Sequence, residues 1–442
     1  MEKRQTIFAL GTAPGRAPIA VIRVSGPAAG DAVRRLTGRE PPPARQAALR
    51  RLMDGSERLD DALVLWFPGP RSETGEDMAE LHLHGGRAVV AGVLDALARV
   101  PGLAPAGPGA FTRQAFDNGK LDLTAAEAVA DLVEAETAAQ RRQALRQMDG
   151  ALARLYQGWR ERLIAVLAEQ EAAIDFPEED LPGDLQGRTS RKITELLKEI
   201  KDHLRDERGL RLRDGFAIAI LGAPNSGKSS LLNHLARRDA AIVSARAGTT
   251  RDVIEVHLDI AGYPVVLADT AGLRETPDEI EAEGVRRARD RASRADLKLL
   301  LFDGATWPAV DPLSAALIDE DSLVLLSKSD LISGDSPLVI GGCPALPVSV
   351  VTGAGTERLL EAIERAVTRG MSLSEAPALT RQRHRQALEE SAAGLMRALD
   401  AALPELRAED LRLAARALGR ITGSVDVEQI LDRIFSEFCI GK

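Results

Sequence analysis

The rhythm of apolar and polar residues changes along the chain. Over residues 1–118, short strand-like runs (Thr6–Leu10, Ala20–Val24, Ala62–Phe67 and Ala79–His84) alternate with Gly- and Pro-rich turns. One helical stretch, Ala88–Val100, lies between them, and Pro41–Pro43 marks an exposed loop. This predicts an α+β domain. From Thr124 to Ile174, apolar residues recur at three- and four-residue spacing among Ala, Glu, Gln and Arg, the pattern of long helices. The segment Asp175–Asp184 (DFPEEDLPGD) breaks them, and a second helix is expected over Ser190–Arg208. Together these read as the arms of an antiparallel helical hairpin.

At Gly215 the rhythm switches again. Phe216–Gly222 (FAIAILG) is a short apolar run ending in glycine, as a buried parallel strand does. Further apolar runs follow at Val265–Ala268, Leu297–Phe302, Leu323–Leu326 and Leu346–Val350, with helical stretches between them. That alternation predicts a mostly parallel α/β domain. After Pro377 the chain reads as helix. The expected division is 1–118, 119–212, 213–369 and 370–442. The α/β part is then inserted into a discontinuous helical domain, which requires its two ends to lie close together.

Composition narrows the function. The 442 residues are 45% hydrophobic and 28% charged, which excludes a wholly disordered chain. No run of 18 apolar residues suits a membrane span, and no secretory leader is expected. Two cysteines, Cys343 and Cys439, exclude a disulfide framework or a four-cysteine zinc site, and a reducing cytoplasmic setting fits. A net charge of −9 with 3% aromatics argues against broad nucleic-acid binding or a base-stacking platform. Only nine of the 57 basic residues are lysine, and four of these, Lys120, Lys228, Lys328 and Lys442, fall in the motifs below.

Gly222–Ser229 (GAPNSGKS) fits G-x-x-x-x-G-K-[ST] between a strand and a helix, the context the phosphate-binding loop requires. Its backbone N–H groups and helix N-terminus suit phosphates, Lys228 suits the β- and γ-phosphates, and the Ser229 hydroxyl suits Mg²⁺. Downstream, Gly248–Asp252 (GTTRD) offers Thr250 as a second Mg²⁺ hydroxyl. Asp269–Gly272 (DTAG) follows an apolar run, with Asp269 placed to hold Mg²⁺ through water and Gly272 to sense the γ-phosphate. Ser327–Asp330 (SKSD) offers a carboxylate, Asp330, to guanine N1 and its exocyclic amine, which adenine lacks. Ser349–Gly353 (SVVTG) stands where a loop covers the base. These motifs resemble those of translation-factor-type GTPases, with Ser327 where the pattern has Asn and Ser349-Val350-Val351 where it has Ser-Ala. Leu273 follows DTAG where Ras-like enzymes place a water-orienting Gln. Glu281, in an acidic run, is a candidate replacement; such acids also simply open helices.

The ending Phe438-Cys439-Ile440-Gly441-Lys442, with GTTRD, DTAGLRE, Pro14–Gly15–Arg16 and NGKLDL (Asn118–Leu123), resembles the MnmE (TrmE) family over the whole chain. That family comprises GTPases that modify the wobble uridine of certain tRNAs. The resemblance implies a folate-binding α+β domain that forms a homodimer. It also implies a discontinuous helical domain and an inserted P-loop GTPase domain. GTP contacts are implied at Asn225, Ser226, Gly227, Lys228, Ser229 and Ser230. They continue at Ser244, Ala245, Arg246, Ala247, Gly248, Thr249 and Thr250, and at Asp269, Thr270, Ala271 and Gly272. The base-side contacts are Ser327, Lys328, Asp330, Ser349, Val350 and Val351.

By the same resemblance, K⁺ is held by Asn225 with Ser244, Arg246 and Thr249, and Glu281 orients water. Arg23, Glu80, Lys120 and Lys442 bind a tetrahydrofolate derivative, 5-formyl- or methylene-. A carboxylate pairs with a pterin's donor edge, and Arg or Lys neutralises a glutamate tail. Cys439 matters for modification in the family; its other reading is a cysteine packed at a helix end. An FAD-dependent partner, MnmG, and tRNA complete the implied set, with no membrane. His82 and His84 alternate on a strand without a third metal ligand in view. A ribosome-assembly or RNA-chaperone GTPase is the competing reading, and it lacks a basic RNA module here. A folate carrier with a degenerate GTPase domain is at odds with the intact GKS, GTTRD and DTAG.

Overall fold

Alternation in the N-terminal strands separates a core face from an open face, and six strands pair on that basis. The computed structural model describes residues 5–175, 185–238, 255–268, 290, 292–332, 338–372, 377–425, 428–436 and 438–441. They form two compact units, one of residues 1–130, 147–185 and 400–442, the other of residues 131–146 and 186–399.

In the first unit, β1 (Thr6–Leu10), β2 (Ile19–Ser25), β3 (Ala48–Asp54), β4 (Glu57–Phe67), β5 (Met78–His84) and β6 (Leu103–Pro105) form one sheet in the order β3-β4-β5-β2-β1-β6. Neighbours are antiparallel except β1 and β6. Ile22, Val24, Leu81 and Leu83 enter a core that helices Ala29–Thr37 and Arg87–Ala98 close with Val33, Leu36, Val93 and Leu97. Because side chains alternate along a strand, Val21, Arg23, Glu80 and His82 take the opposite face, and none of them is fully buried.

Helix Ala151–Asp175 packs along helix Pro404–Thr422 in the same unit. Leu152, Tyr156, Trp159, Leu163 and Val166 are its buried stripe, at helical spacing. The sequence pattern pairs this helix with the segment after the break. From residue 186 on, helix Leu185–Leu204 belongs instead to the second unit. Near the chain end, helix Glu428–Ser436 buries Leu431, Ile434 and Phe435 with Phe438 against Leu123 and Ala126.

In the second unit the strands are β7 (Phe216–Gly222), β8 (Glu255–Ile260), β9 (Tyr263–Ala268), β10 (Leu297–Asp303), β11 (Ser322–Ser327), the short antiparallel pair β12 (Val339–Ile340) and β13 (Cys343–Pro344), and β14 (Leu346–Pro347). The main sheet runs β14-β11-β10-β7-β9-β8, parallel except for the β8–β9 hairpin. Ile218, Ile220, Leu299 and Leu301 face one core, where helices Lys228–Arg238 and Thr356–Met371 pack; Leu221, Leu300, Phe302 and Leu326 face another. Burial on both faces is why these strands read as continuous apolar runs.

The two ends of this α/β part adjoin. Arg208 Nη1 donates to the Ser372 carbonyl at 2.9 Å, and a Cβ added at Gly209 would lie 2.3 Å from the Leu379 carbonyl oxygen. Such closeness is what an insertion needs. Among the described residues, no helix is long and apolar enough to cross a membrane.

Candidate functional site

The phosphate loop begins where β7 runs beside β10. Gly222 has φ 153°, and a Cβ there would meet the Leu301 carbonyl oxygen at 2.4 Å, so only glycine lets the strands pass this closely. Two left-handed residues, Asn225 (φ 63°) and Gly227 (φ 96°), then curl the loop into the helix that starts at Lys228. The first-turn N–H groups of a helix have no intrahelical acceptor, which suits this helix start to an anion. Lys228 Nζ donates to the carbonyls of Gly222 (3.1 Å) and Ala223 (2.8 Å), which holds the ammonium over the loop. Ser226 is fully buried, whereas Ser229 and Ser230 are exposed at the helix start. An exposed hydroxyl in that position fits a hard divalent cation shared with phosphate oxygens.

The base-recognition loops sit on the same carboxyl edge of the sheet, where open α/β sheets bind ligands. Ser327 ends β11, and its hydroxyl lies 2.6 Å from the Ser226 carbonyl and 3.1 Å from that of Phe302. It therefore ties the base loop to the phosphate loop, a task the sequence leaves unassigned once Asn is absent. Lys328 is left-handed (φ 51°), and its Nζ donates to Asp303 Oδ2 at 2.6 Å. Burial opposes ionisation of Asp303, but the hydrogen bonds from Lys328 and the Ala305 N–H prevail and hold its carboxyl below the usual range. Asp330 is exposed on the short turn Ser329–Leu331. The Ser329 N–H donates to the Val348 carbonyl at 3.2 Å, which joins this turn to the loop that follows β14. That loop is closed by Ser349 N–H to Ala354 and by Thr352 N–H to Ser349 Oγ at 3.2 Å, with Val350 half-buried and Val351 90% exposed. Ser244, Ala245, Arg246, Ala247, Gly248, Thr249, Thr250, Asp269, Thr270, Ala271, Gly272, Glu281 and Lys442 lie outside the described residues.

A second polar cluster occupies the open face of the N-terminal sheet. Arg23 and Glu80 are register partners across β2 and β5, with Nε to Oε1 at 3.2 Å. Glu73 pairs with the same guanidinium at 3.1 Å, and His82 Nε2 lies 3.2 Å from Glu80 Oε2. Asn118 donates to the Thr74 carbonyl at 2.9 Å, and Thr74 and Ser25 share a hydroxyl hydrogen bond of 2.7 Å. The loop carrying exposed Lys120 is thus anchored to the segment that also supplies Glu73. Asp122 in that loop caps the following helix by accepting from the Thr124 and Ala125 N–H groups.

The chain end approaches the same strands. The Gly109 N–H donates to the Cys439 carbonyl at 3.4 Å, Ile440 bridges Pro108, and Gly441 (φ 97°) lies against the end of β1. The next residue there, Gly11, is 3.4 Å from Arg23 Cδ as measured to an added Cβ. Cys439 is exposed. The arrangement pairs a carboxylate with guanidinium and imidazole donors, a set suited to a ligand with a donor edge and acidic groups.

Comparison with known proteins decides the family. A family model described as the MnmE helical domain matches residues 123–439, and one described as the GTP-binding protein TrmE N-terminus matches residues 6–120. The tRNA modification GTPase MnmE of Paramagnetospirillum magneticum is 58% identical over 440 residues, covering 99% of this chain and 100% of that protein. The chain belongs to the MnmE family. The protein of the same name from Rhodospirillum rubrum is 56% identical over 451 residues, 99% of each chain. Among solved structures, the G domain of the T. maritima FeoB iron transporter matches at 26% identity and a TM-score of 0.26, over 34% of this chain and 97% of its own.

As a member of the MnmE family the chain is a GTP hydrolase that binds GTP. Sequence reasoning missed Glu73, which shares Arg23 with Glu80, and Asp303, which holds Lys328. Glu73 lies in a loop without periodicity, and Asp303 ends a strand, so nothing local singles out either. In the sequence, His82 and His84 alternate on a strand without a third metal ligand in view. The neighbour of His82 is the Glu80 carboxylate, and among the described residues no group of three or more His, Cys, Asp or Glu could hold a metal ion.

Proposed function

We propose that the protein is a potassium-activated GTPase that modifies tRNA. With the FAD-dependent MnmG it adds a (carboxymethyl)aminomethyl group to C5 of the wobble uridine of certain tRNAs. The one-carbon unit comes from a 5-formyl- or methylene-tetrahydrofolate. What supports this reading above all is the presence of two assembled sites in one chain: the phosphate and base loops of the α/β sheet, and the Arg23–Glu80 pair beside the chain end.

In the GTPase site, Lys228 and the helix-start N–H groups hold phosphates, and Asp330 selects guanine. Ser229 and Thr250 ligate Mg²⁺, with Asp269 acting through water. Asn225, Ser244, Arg246 and Thr249 would hold K⁺, whose chemistry there would be to offset developing negative charge. Leu273 cannot orient water, so Glu281 takes that role. In the N-terminal domain, Glu80 meets the donor edge of a pterin, while Arg23, Lys120 and Lys442 meet its acidic tail. Cys439 is exposed near that site and is assigned to modification. Leu49 and Leu63, register partners on β3 and β4, are 66% and 44% exposed, which supports a homodimer through this domain.

The test is mass spectrometry of tRNA nucleosides from cells with and without the gene. Loss of the modified wobble uridine, restored by the parent chain and not by a Lys228→Ala chain, is the expected result. Unchanged modification in its absence overturns the reading.

A further inference from the structure

On the GTPase reading above, on which this inference rests, the β8–β9 hairpin lies in sequence between two segments assigned to the nucleotide. Thr250 lies five residues before β8, and Asp269 directly follows β9. The hairpin turns through Ala261 (φ 53°) and Gly262 (φ 84°), the two-residue geometry whose twist matches the strands it joins. Six ladder pairs, from Glu255–Ala268 to Ile260–Tyr263, tie the two strands to each other along their length.

At the tip the hairpin is gripped by residues 131–146. The Ala139 N–H donates to the Gly262 carbonyl at 3.0 Å, and Ala139 itself is buried in the core beneath the sheet. Glu136 Oε2 lies 3.6 Å from His257 Nδ1 on β8. The same segment holds the chain that feeds the phosphate loop: the Gln140 amide donates to the Arg213 carbonyl at 3.3 Å, just before β7. Asp131 then joins both ends of the α/β part. Its Oδ1 accepts from Arg213 Nε at 3.2 Å, on the chain arriving at β7, and from Arg381 Nη2 at 2.6 Å, on the chain leaving the last helix. A cavity of about 390 Å³, lined by Asp131, Glu136, Gln140, Arg213, His257 and Val266 among others, adjoins this contact.

We propose that residues 131–146 are the output element of the GTPase. Glu136 and Ala139 take up the movement of the β8–β9 hairpin as the nucleotide changes, while Asp131 fixes the pivot by holding Arg213 and Arg381 together. Asp131 and Glu136 are positioning residues, because they act on strands and not on nucleotide. Coupling of this kind needs an element that both sites bias, and the hairpin is the element this proposal assigns to it.

Hydrogen exchange read by mass spectrometry on the full chain tests this, with GDP or with guanylyl imidodiphosphate in Mg²⁺ and K⁺. In the parent chain, amides of 136–146 are expected to exchange at rates that differ at least fivefold between the two nucleotides. Equal rates in this segment overturn the proposal, whatever any variant does. In Asp131→Asn the difference is expected to fall below twofold, while GTP turnover stays within threefold of the parent. An Asp131→Asn chain that keeps the full difference, or that loses it only together with turnover, also overturns the proposal.

Discussion

Replacing Ser327 with alanine removes one hydroxyl from the junction of the two nucleotide loops. The hydroxyl carries one proton and lies nearer the Ser226 carbonyl (2.6 Å) than the Phe302 carbonyl (3.1 Å), so the bond to the phosphate loop is the one lost. Ser327 is 9% exposed and Ser226 fully buried, so water does not readily replace the donor. Leaving a buried acceptor without its partner costs about 1–3 kcal/mol, or roughly 5- to 150-fold in an equilibrium constant. Because the bond fixes the phosphate loop against the base loop, the loss falls on nucleotide affinity. Titration with a fluorescent GDP analogue is expected to show at least a fivefold weaker dissociation constant for Ser327→Ala. Ser327→Thr keeps a hydroxyl and should stay within threefold of the parent. If Ser327→Ala binds GDP within twofold of the parent while unfolding cooperatively at the same temperature, the hydroxyl does not organise the site and the reasoning fails.

Gly441→Ala forces a Cβ to within 2.2 Å of the Leu10 carbonyl oxygen at a residue with φ 97°, so the chain end should leave β1. Overpacking against backbone costs about 1–3 kcal/mol, read as a lower thermal midpoint, and tetrahydrofolate binding by calorimetry should weaken with it. Asp330→Asn turns two acceptors into one acceptor and one donor, so competition binding should move preference from GTP towards xanthosine triphosphate; full retention of GTP affinity contradicts the assigned role.

Much of this architecture is legible in the sequence where burial is two-sided or strictly alternating. Leu297–Asp303 is apolar almost throughout because β10 lies in the middle of its sheet with helices on one face and packed side chains on the other. Ala48–Asp54 escaped the same reading because β3 is an edge strand in which only Leu52 is buried. The phosphate loop is legible because its glycines and Lys228 answer to local backbone geometry. The Ser327 bond is not, since its acceptor lies 101 residues away. Asp131, Arg213 and Arg381 are further still from legibility, at separations of 82 and 250 residues, where only the folded chain brings the charges together.

The central claim, a potassium-activated GTPase whose attacking water is oriented by Glu281, is tested most directly by single-turnover GTP hydrolysis of the full chain in KCl and in NaCl at matched ionic strength, with Glu281→Ala alongside. The expected rate is at least tenfold higher in KCl. Glu281→Ala is expected to lower that rate by about 10²–10⁴ at nearly unchanged GTP affinity, as for a group that acts mainly in the transition state. Equal rates in the two salts, or a Glu281→Ala chain that hydrolyses GTP within threefold of the parent, would contradict the central claim.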